Sequence, residues 1–494
     1  MVLDTPRSAP RDAAPRRLRD AWIALAGLSA VFLFEMLDNS VLNVALPTLG
    51  RELHASTAGL QWVTGAYSVA FGGLMLLFGV IADRFGRRRV MLAGLVLLAV
   101  ASLATAAVTT TEQLIAVRAV MGIAAAMTTP GSMALAFRLF GTDDLRVRAL
   151  TVVSTAGLVG LAVGPTAGGL VLAVAPWQVL LLVNVPIAVL ALIGIRLGVP
   201  ADALDDLHRG PIDVVGALLG TVTIAAALVA PTLFVGTGST GDGAGTGTGI
   251  GPWAPWAAVA TAVLAGTGFV LRQRSARHPL LDLRLVALPL VSSGLAFKAA
   301  TGLAVGGLSY LVTLQLQLAW GWSPAAAALG LLPQVVVLLA GGRFVGPFVA
   351  RVGLERAAAV SAGAVVAGLA VFGLLGRFGY GGVLIALVLV AAGMRVVGVV
   401  AGTNVLRGLP AERTSVGAAL VDTASELATA VGIAAGGTIL SALVAGSITS
   451  VRATATGAEQ LSGAVGVAGL VLAGLAAGLV ALGVLRARTA PSEQ

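Results

Sequence analysis

The stretch GVIADRFGRRRV, residues 79–90, interrupts a strongly apolar sequence with one acid, four arginines and two glycines. A second stretch, GPFVARVGLERA at residues 346–357, repeats both glycines and two of the arginines at the same spacing, with Ala350 in place of Asp83. Two matching connections so far apart predict a protein built from two similar halves. Membrane transporters commonly follow this plan and carry their substrate site between the halves.

The composition indicates a membrane protein. Of the 494 residues, 57% are hydrophobic and 11% are charged, and a soluble chain could not cover so much apolar surface with so little charge. The net charge of +9 is distributed among short loops, which is typical of membrane orientation signals and not of nucleic-acid binding. Cysteine is absent and the three histidines fall in predicted loops, so we expect neither a metal site nor a cofactor.

Apolar runs long enough to cross a bilayer, about 20 residues each, occur fourteen times along the chain. The arginines support this division, because they concentrate in the predicted inner segments and only Arg51, Arg377 and Arg452 fall in outer loops. By the positive-inside rule, both termini are expected to be cytoplasmic. The expected fold is an all-α integral membrane protein with fourteen spans.

The internal repeat divides these spans into two groups of six, with two further spans inserted between them. The predicted parts are, in chain order, a cytoplasmic tail over residues 1–21, an N-terminal six-helix bundle over 22–198, two inserted spans with flanking loops over 199–288, a C-terminal six-helix bundle over 289–485, and a cytoplasmic tail over 486–494.

The first predicted span contains two acids, in FEMLDNSVLNVALP at residues 34–47. Glu35 and Asp38 are three residues apart and therefore share one helix face. Isolated charges inside a membrane cost several kcal/mol and usually mark functional sites. Arg118 lies at a similar predicted depth in the fourth span, so we expect it to face Asp38. A purely structural lock between arginine and aspartate fits the same pattern.

A second acidic pair lies in the thirteenth predicted span, in LVDTASELATAVG at residues 420–432. Asp422 and Glu426 are four residues apart and again share a helix face. Acids that merely face a polar crevice fit this pattern as well. Lys298 and Arg395 also fall within predicted spans. Lys298 is expected either to extend towards the inner face or to pair with an acid across the interface between the halves, and the sequence suggests no role for Arg395.

Four stretches in the expected order resemble motifs of the major facilitator superfamily. GVIADRFGRRRV resembles its inner-loop signature, and LDNSVLNVALP (37–47) resembles the first-span motif of its fourteen-span drug:proton antiporters, the EmrB/QacA group. RAVMGIAAAM (118–127) resembles the fourth-span arginine motif, and GLAVGPTAGGLV (160–171) resembles the fifth-span antiporter motif. The acid pair in the thirteenth span is similar to the pair in QacA-like exporters of lipophilic cations, with Asp and Glu distributed differently.

The resemblance implies the major facilitator fold and a proton-driven multidrug efflux antiporter that works by alternating access. Its expected substrates are lipophilic, cationic drugs such as quaternary ammonium antiseptics, dyes and antibiotics, and its expected partners are protons and the lipid bilayer, with no nucleic acid. A monomer in the bacterial cytoplasmic membrane is expected. A proton-coupled exporter of a natural product for self-resistance, or a transport-dead receptor, remain alternatives. An enzyme is disfavoured because no span carries a catalytic set.

The resemblance and the chemistry of the residues together assign three groups of candidate positions. Proton coupling is assigned to Asp38, Arg118 and Glu35. Substrate binding is assigned to Glu35, Asp422, Glu426, Trp62 and Tyr67, of which the two aromatic residues are equally explained by packing. Conformational gating is assigned to Gly79, Asp83, Arg84, Gly86, Arg87, Arg88, Gly160, Gly164, Pro165, Gly168 and Gly169.

The gating positions have simple physical readings. Gly79 and Gly86 permit a tight turn, and Asp83 can meet a helix N-terminus or an arginine and so close the cytoplasmic side. A plain basic loop that only sets topology is the alternative. The fifth-span glycines form a small-residue face that lets helices pack closely, with a bend at Pro165. Ordinary helix packing would use these residues in the same way.

Overall fold

The computed structural model describes residues 17–55, 57–140, 143–202, 213–238, 253–276, 279, 283–409, 414–444 and 455–489. Their regular secondary structure is entirely helical. The helices before residue 200 are α1 (Trp22–Glu52), α2 (Thr57–Phe85), α3 (Arg87–Ala104), α4 (Thr111–Leu139), α5 (Asp143–Val174), α6 (Gln178–Leu182) and α7 (Asn184–Gly198). The next three are α8 (Val214–Gly238), α9 (Ala254–Ser275) and α10 (Leu283–Ala287).

The remaining helices are α11 (Pro289–Leu314), α12 (Pro324–Gly330), α13 (Leu332–Ala340), α14 (Gly342–Val352), α15 (Leu354–Leu375), α16 (Tyr380–Arg407), α17 (Thr414–Leu443) and α18 (Ala455–Arg488). Short 3-10 segments occur at Leu18–Ala21, Thr105–Ala107 and Gly376–Phe378, and a π-helical turn at Gln315–Ala319 extends α11. Ten helices in the described ranges are long and apolar enough to cross a membrane. An eleventh span results if Pro324–Ala340 and Gly342–Val352, which are bent by 59°, count as one.

The two halves use the same packing scheme. In the N-terminal half α1 packs against α5 and α3 packs against α4, while in the C-terminal half α11 packs against α17 and α15 packs against α16. Between the halves, α2 contacts α17, α5 contacts α12 and α13, and α1 contacts α11. The site described below lies where α1, α2, α4, α11 and α17 approach one another.

The inserted helices form a pair that covers part of this interface. α8 packs against α9 and also against both α2 and α17. The Thr221 hydroxyl of α8 donates a hydrogen bond to the Gly73 carbonyl of α2 at 2.6 Å. Directly before α8, Asp213 accepts hydrogen bonds from the Gly216 amide and from Arg272 at the end of α9, which holds the two helices together.

The repeated inner connections share one backbone feature. Gly86 precedes α3 with φ of 106°, and Gly353 precedes α15 with φ of 84°. Only glycine adopts such angles without strain, so both copies need glycine at this position. Their surroundings differ, because a Cβ added to Gly86 would lie 2.8 Å from Cγ of Asp202, whereas one added to Gly353 would meet nothing within 4 Å.

We therefore expect Gly86→Ala to lower the thermal unfolding temperature more than Gly353→Ala does. Both changes carry a backbone cost of about 1–3 kcal/mol, and only the first also collides with Asp202. The measurement is thermal unfolding of the two purified variants beside wild type. Equal shifts for the two variants would contradict the prediction and show that Asp202 moves aside freely.

Candidate substrate and proton site

Asp38 and Arg118 meet inside the N-terminal half, as expected from their depths in the sequence. Asp38 is fully buried and the Arg118 side chain is 1% exposed. Nη1 of Arg118 donates to Oδ2 of Asp38, and Nδ2 of Asn184 donates to Oδ1 at 2.8 Å. Both carboxylate oxygens are therefore satisfied. The ion pair links α1 to α4, and the hydrogen bond from Asn184 connects α7 to the same carboxylate.

Arg118 is also held by α2. Its Nε donates to the Val63 carbonyl at 3.3 Å, and its guanidinium carbon lies 4.4 Å from the centroid of the Tyr67 ring, within range of a cation–π interaction. Tyr67 in turn packs on Phe71, with ring centroids 5.8 Å apart. The predicted Tyr67 thus joins the Arg118 environment. Trp62, which precedes Val63, is half-buried in the same helix.

Glu35 lies apart from this pair and faces the other half. It is 3% exposed, and the Thr129 hydroxyl of α4 donates to its Oε2 at 2.7 Å. It also interacts electrostatically with Glu426 and Asp422. Glu35 is thirteen residues into α1 and Glu426 twelve into α17, so at about 1.5 Å per residue they stand about 20 Å and about 18 Å along their helices.

Asp422 and Glu426 of the C-terminal half are the two acids with which Glu35 interacts. Both are half-buried on α17 and interact with each other. The neighbouring Thr423 hydroxyl reaches Sδ of Met75 on α2 at 3.5 Å. The acids of α17 therefore lie at the interface between the halves. We call Glu35, Asp422 and Glu426 the acidic cluster.

Lys298 of α11 interacts electrostatically with Asp422 and Glu426. These acids belong to its own half, an arrangement that is neither of the two alternatives suggested by the sequence. Its helix and α17 run in direct contact, which brings the residues together within one half. Arg395 lies elsewhere in that half, where a Cβ added to Gly342, the first residue of α14, would come within 3.3 Å of its Cζ.

Three glycines of the fifth-span motif fix the position of α1. Cβ atoms added to Gly160, Gly164 and Gly168 would collide with α1. The Ser40 hydroxyl also donates to the Gly160 carbonyl at 3.3 Å. Because Glu35 and Asp38 lie on α1, this glycine face sets where both acids stand.

The remaining motif positions of α5 behave differently. A Cβ added to Gly169 would lie 2.5 Å from Cβ of Ala328 and from the Pro324 carbonyl oxygen of α12. Gly169 therefore contacts the opposite half, unlike the other three glycines. Pro165 lies inside α5, which continues past it to Val174.

The inner-loop signature is anchored by an acid that the sequence did not indicate. Oδ2 of Asp202, which follows α7, accepts hydrogen bonds from the amides of Arg88 at 3.1 Å and Arg89 at 3.4 Å, and so caps the start of α3. The Arg88 guanidinium also donates to the Arg196 carbonyl at 2.7 Å. The signature loop is thus tied to the end of the N-terminal half.

The other predicted positions of the signature are placed as follows. Gly79 lies inside α2, and an added Cβ there would meet nothing within 4 Å, so the expected turn and close backbone approach are wrong for this glycine. Arg84 is exposed and Arg87 is half-buried at the start of α3. The side chain of Asp83 lies outside the described residues.

Three contributing residues were missed from sequence: Asn184, Thr129 and Asp202. Asn184 had a usable signal, since it is one amide within the apolar run LLLVNVP at residues 180–186. Thr129 had none, because threonine in a membrane helix often bonds only its own backbone, as Thr128 does here. Asp202 follows a span and resembles any loop acid until the fold places it beside α3.

Two helical halves with buried acids between them are typical of membrane transporters. The chain belongs to the Major Facilitator Superfamily, which matches residues 28–433. Its interior carries charged side chains, namely the acids, the arginine and the lysine described above. No group of three or more His, Cys, Asp or Glu suited to a metal ion occurs among the residues that the structure describes.

Similar proteins include drug exporters and resistance proteins. The chain is 30% identical over 416 residues to the multidrug efflux pump LfrA of Mycolicibacterium smegmatis, covering 83% of this chain and 79% of LfrA. It is 32% identical to the cephamycin export protein CmcT of Amycolatopsis lactamdurans, covering 74% and 72%. The methyl viologen resistance protein SmvA of Salmonella typhimurium is 30% identical, covering 72% and 68%.

Solved structures support the fold. The crystal structure of the POT family transporter PepTSo superposes with a TM-score of 0.66 at 14% identity, covering 96% of this chain and 99% of that one. At such low identity the likeness concerns the fold alone.

Proposed function

We propose that the chain is a proton-driven multidrug efflux antiporter that exports lipophilic cations in exchange for protons. The observation that carries the proposal is the acidic cluster, in which Glu35 from one half faces Asp422 and Glu426 from the other. A cation placed between the halves is attracted by carboxylates on both sides. The names of LfrA and SmvA agree with such an activity.

Coupling follows from competition for the same carboxylates. Burial and mutual repulsion favour the protonated form of clustered acids. A lipophilic cation entering from the cytoplasm or the inner leaflet favours the ionised form and displaces protons. Opening to the outside releases the drug and readmits protons, and the neutralised site then returns inward.

We assign Asp38 mainly to proton coupling and the acidic cluster mainly to substrate. Asp38 is enclosed by Arg118 and Asn184, which leaves its carboxylate no room for a drug. Its protonation would weaken the link between α1 and α4 and so change how the N-terminal half packs. Glu35, on the same helix, would transmit that change to the substrate site.

Exchange with more than one proton fits a cationic substrate. Moving one charge across 100 mV is worth about 2.3 kcal/mol, and exchange of one proton for one monovalent cation gains nothing from the membrane potential. Several titratable acids allow two or more protons per cycle. Strictly electroneutral export of a monovalent cation from proteoliposomes would contradict this stoichiometry.

The proposed membrane topology has fourteen spans with both termini cytoplasmic. α2 and α4 have 29 residues each and α8 has 25, which is long enough to cross a bilayer. Added to the eleven spans counted above, these three helices bring the total to fourteen. The domain division predicted from the sequence, a monomeric state and a bacterial cytoplasmic membrane complete the proposal.

In this topology the halves touch on the outer side. Nε2 of Gln317 donates to the Val44 carbonyl at 2.8 Å, and Nδ2 of Asn43 donates to the Ser309 hydroxyl at 3.4 Å. Gly169 meets α12 at the same end. We propose that these contacts separate when the protein opens outward, and that the inner-loop signature, including Asp83 and its arginines, then closes the cytoplasmic side.

Neutralising the acidic cluster should reduce cation efflux. Glu35→Gln, Asp422→Asn and Glu426→Gln each remove one charge facing the substrate, and we expect each to slow ethidium efflux about tenfold or more. The assay uses a pump-deficient strain with and without an uncoupler. Glu459→Gln, an exposed acid on α18, is the matched control and should behave as wild type. Unchanged efflux in all three cluster variants would contradict the proposed function.

A natural-product exporter is the second candidate, and the similarity to CmcT favours it. Such a protein would handle neutral or anionic metabolites, and the acidic cluster would then serve protons alone. Cation binding distinguishes the two candidate functions, because an exporter of neutral or anionic metabolites is not expected to bind ethidium. A transport-dead receptor would show no uncoupler-sensitive efflux.

A further inference from the structure

The chain contains a single lysine, Lys298, among 31 lysine and arginine residues. It lies in α11, a helix predicted to cross the membrane, and it is half-buried. A charge at such a position usually has a function. Lysine differs from arginine in carrying a compact charge on a flexible stem.

The contact between α11 and α17 places Lys298 beside the acids. A Cβ added to Gly302 would lie 3.1 Å from Cα of Ser425, so the two backbones touch there. Lys298 is four residues before Gly302, and Asp422 is three residues before Ser425. Both therefore stand about one turn from the contact and towards the starts of their helices. The ammonium group interacts electrostatically with Asp422 and Glu426.

With all its carboxylates ionised, the site carries more negative than positive charge. Arg118 binds Asp38 directly, so that pair is neutral when both are ionised. The acidic cluster then holds three carboxylates, and Lys298 is the cation that acts on two of them. Among the described residues no direct ion pair joins Lys298 to either acid. Lys298 therefore weakens the field of the cluster without occupying it.

We propose that Lys298 determines charge selectivity at the acidic cluster, by reducing the attraction that the cluster exerts on dications more than on monocations. This inference rests on the proposed function, since it concerns which cations the exporter accepts. Coulomb energies scale with the product of the charges. Removing the lysine charge should therefore strengthen binding of a monocation by some factor, and binding of a dication by about the square of that factor.

The test measures binding to the purified full-length protein in lipid nanodiscs at fixed pH and ionic strength. The probes are methyl viologen, a dication, and N-methylphenylpyridinium, a monocation of similar shape. For Lys298→Met we expect binding of the monocation to tighten about threefold and binding of the dication about tenfold. Lys298→Arg keeps the charge and should match wild type. Arg343→Met removes an exposed charge of the same half and should also leave both affinities unchanged.

Chemical modification provides a second measurement on folded protein, in case Lys298→Met fails to fold. Because Lys298 is the only lysine, acetylation removes its charge at one side chain, while reductive methylation keeps the charge. Acetylated protein should show the gain for methyl viologen, and methylated protein should not, with modification of Lys298 verified by mass spectrometry. Acetylation also removes the charge of the N-terminal amine, so acetylated Lys298→Arg protein, which has no lysine side chain, is the control for that change.

The outcomes separate this inference from the proposed function. If wild type binds both cations and removal of the lysine charge leaves their affinity ratio unchanged, the role of Lys298 is wrong and the cation exporter stands. If removal weakens both probes equally, Lys298 has a structural role and the inference is again wrong. If wild type binds neither cation, the proposed function fails and the inference fails with it.

Discussion

Efflux should stop when Asp38 is replaced by asparagine, even in protein that reaches the membrane. Asparagine matches aspartate in size but cannot take up or release a proton. Its amide also brings hydrogen-bond donors towards Arg118 and Asn184, which both donate to Asp38 in wild type. The measurement is ethidium efflux in pump-deficient cells, with membrane protein levels quantified, and we expect no efflux above the empty vector.

Loss of transport in this variant alone does not separate chemistry from folding. Removing one partner of a buried ion pair costs about 3–5 kcal/mol, because the other charge remains buried without compensation. The double variant Asp38→Asn with Arg118→Met removes both charges. Replacing a buried pair by well-packed hydrophobic residues of similar volume is often neutral or stabilising by about 1–4 kcal/mol, and the Asn–Met pair likewise leaves no uncompensated buried charge. We therefore expect the double variant to regain thermal stability and to remain inactive.

The double variant also decides between the two interpretations of the pair. A structural lock requires only that α1 and α4 stay together, so an uncharged pair that packs well would restore uncoupler-sensitive efflux. Proton coupling requires the titratable group itself, and no second substitution can restore it. Recovery of efflux in the double variant would therefore overturn the assignment of Asp38 to proton coupling.

The second large effect is expected at Gly160, where alanine should lower stability and impair transport. An added Cβ would lie 2.6 Å from the Leu33 carbonyl oxygen and 3.1 Å from the Leu37 amide nitrogen. Both are backbone atoms of α1, so no side-chain rotation relieves the collision. Forcing extra volume into a packed contact costs about 1–3 kcal/mol. A shifted α1 would also displace Glu35 and Asp38.

Gly79 provides the matched control for this prediction. It is another motif glycine within a helix, but an alanine there meets nothing within 4 Å. Gly79→Ala should be neutral or slightly stabilising, by about 0.5–1 kcal/mol, because alanine favours the helix. Thermal unfolding and ethidium efflux of the two variants are compared directly. Similar values for both would show that α5 does not depend on close contact with α1.

Gly164 extends the test to a collision that a neighbour can relieve. An added Cβ there would overlap the Ser40 hydroxyl, which is a side-chain group. Ser40→Ala should therefore rescue part of the loss in Gly164→Ala, with a coupling of about 0.5–3 kcal/mol in a double-mutant cycle. The same Ser40→Ala change should not rescue Gly160→Ala, whose obstruction is backbone.

The sequence predicted the major elements of the site for a physical reason. A charged residue in a membrane span needs a partner or an aqueous cavity, so the charges of Glu35, Asp38 and Arg118 within apolar runs mark these residues as functional candidates. Depth along each span then suggested that Asp38 faces Arg118, and the structure brings these two together. The acids of α17 were visible for the same reason, although their separation from Glu35 in the chain gave no distance.

The partners of these residues could not be predicted in the same way. Asn184 and Thr129 are uncharged, and a polar residue in a helix often bonds only its own backbone. The acid that caps α3 is Asp202, more than a hundred residues further along the chain. For Lys298, sequence left two alternatives open, and the packing of α11 on α17 gave a third, with acids of its own half.

The amino-acid sequence by itself determined that this is a two-half, all-α membrane protein with buried acids on two helices. The length of each apolar run, the placement of charges and the repeated glycines are local properties. Each can be read from the sequence without knowing which helices are neighbours in the bundle. Tertiary structure decided which charges meet, because long-range contacts depend on how closely helices approach. Here the glycines of α5 set the position of α1, and those of α11 bring Lys298 beside the acids of α17.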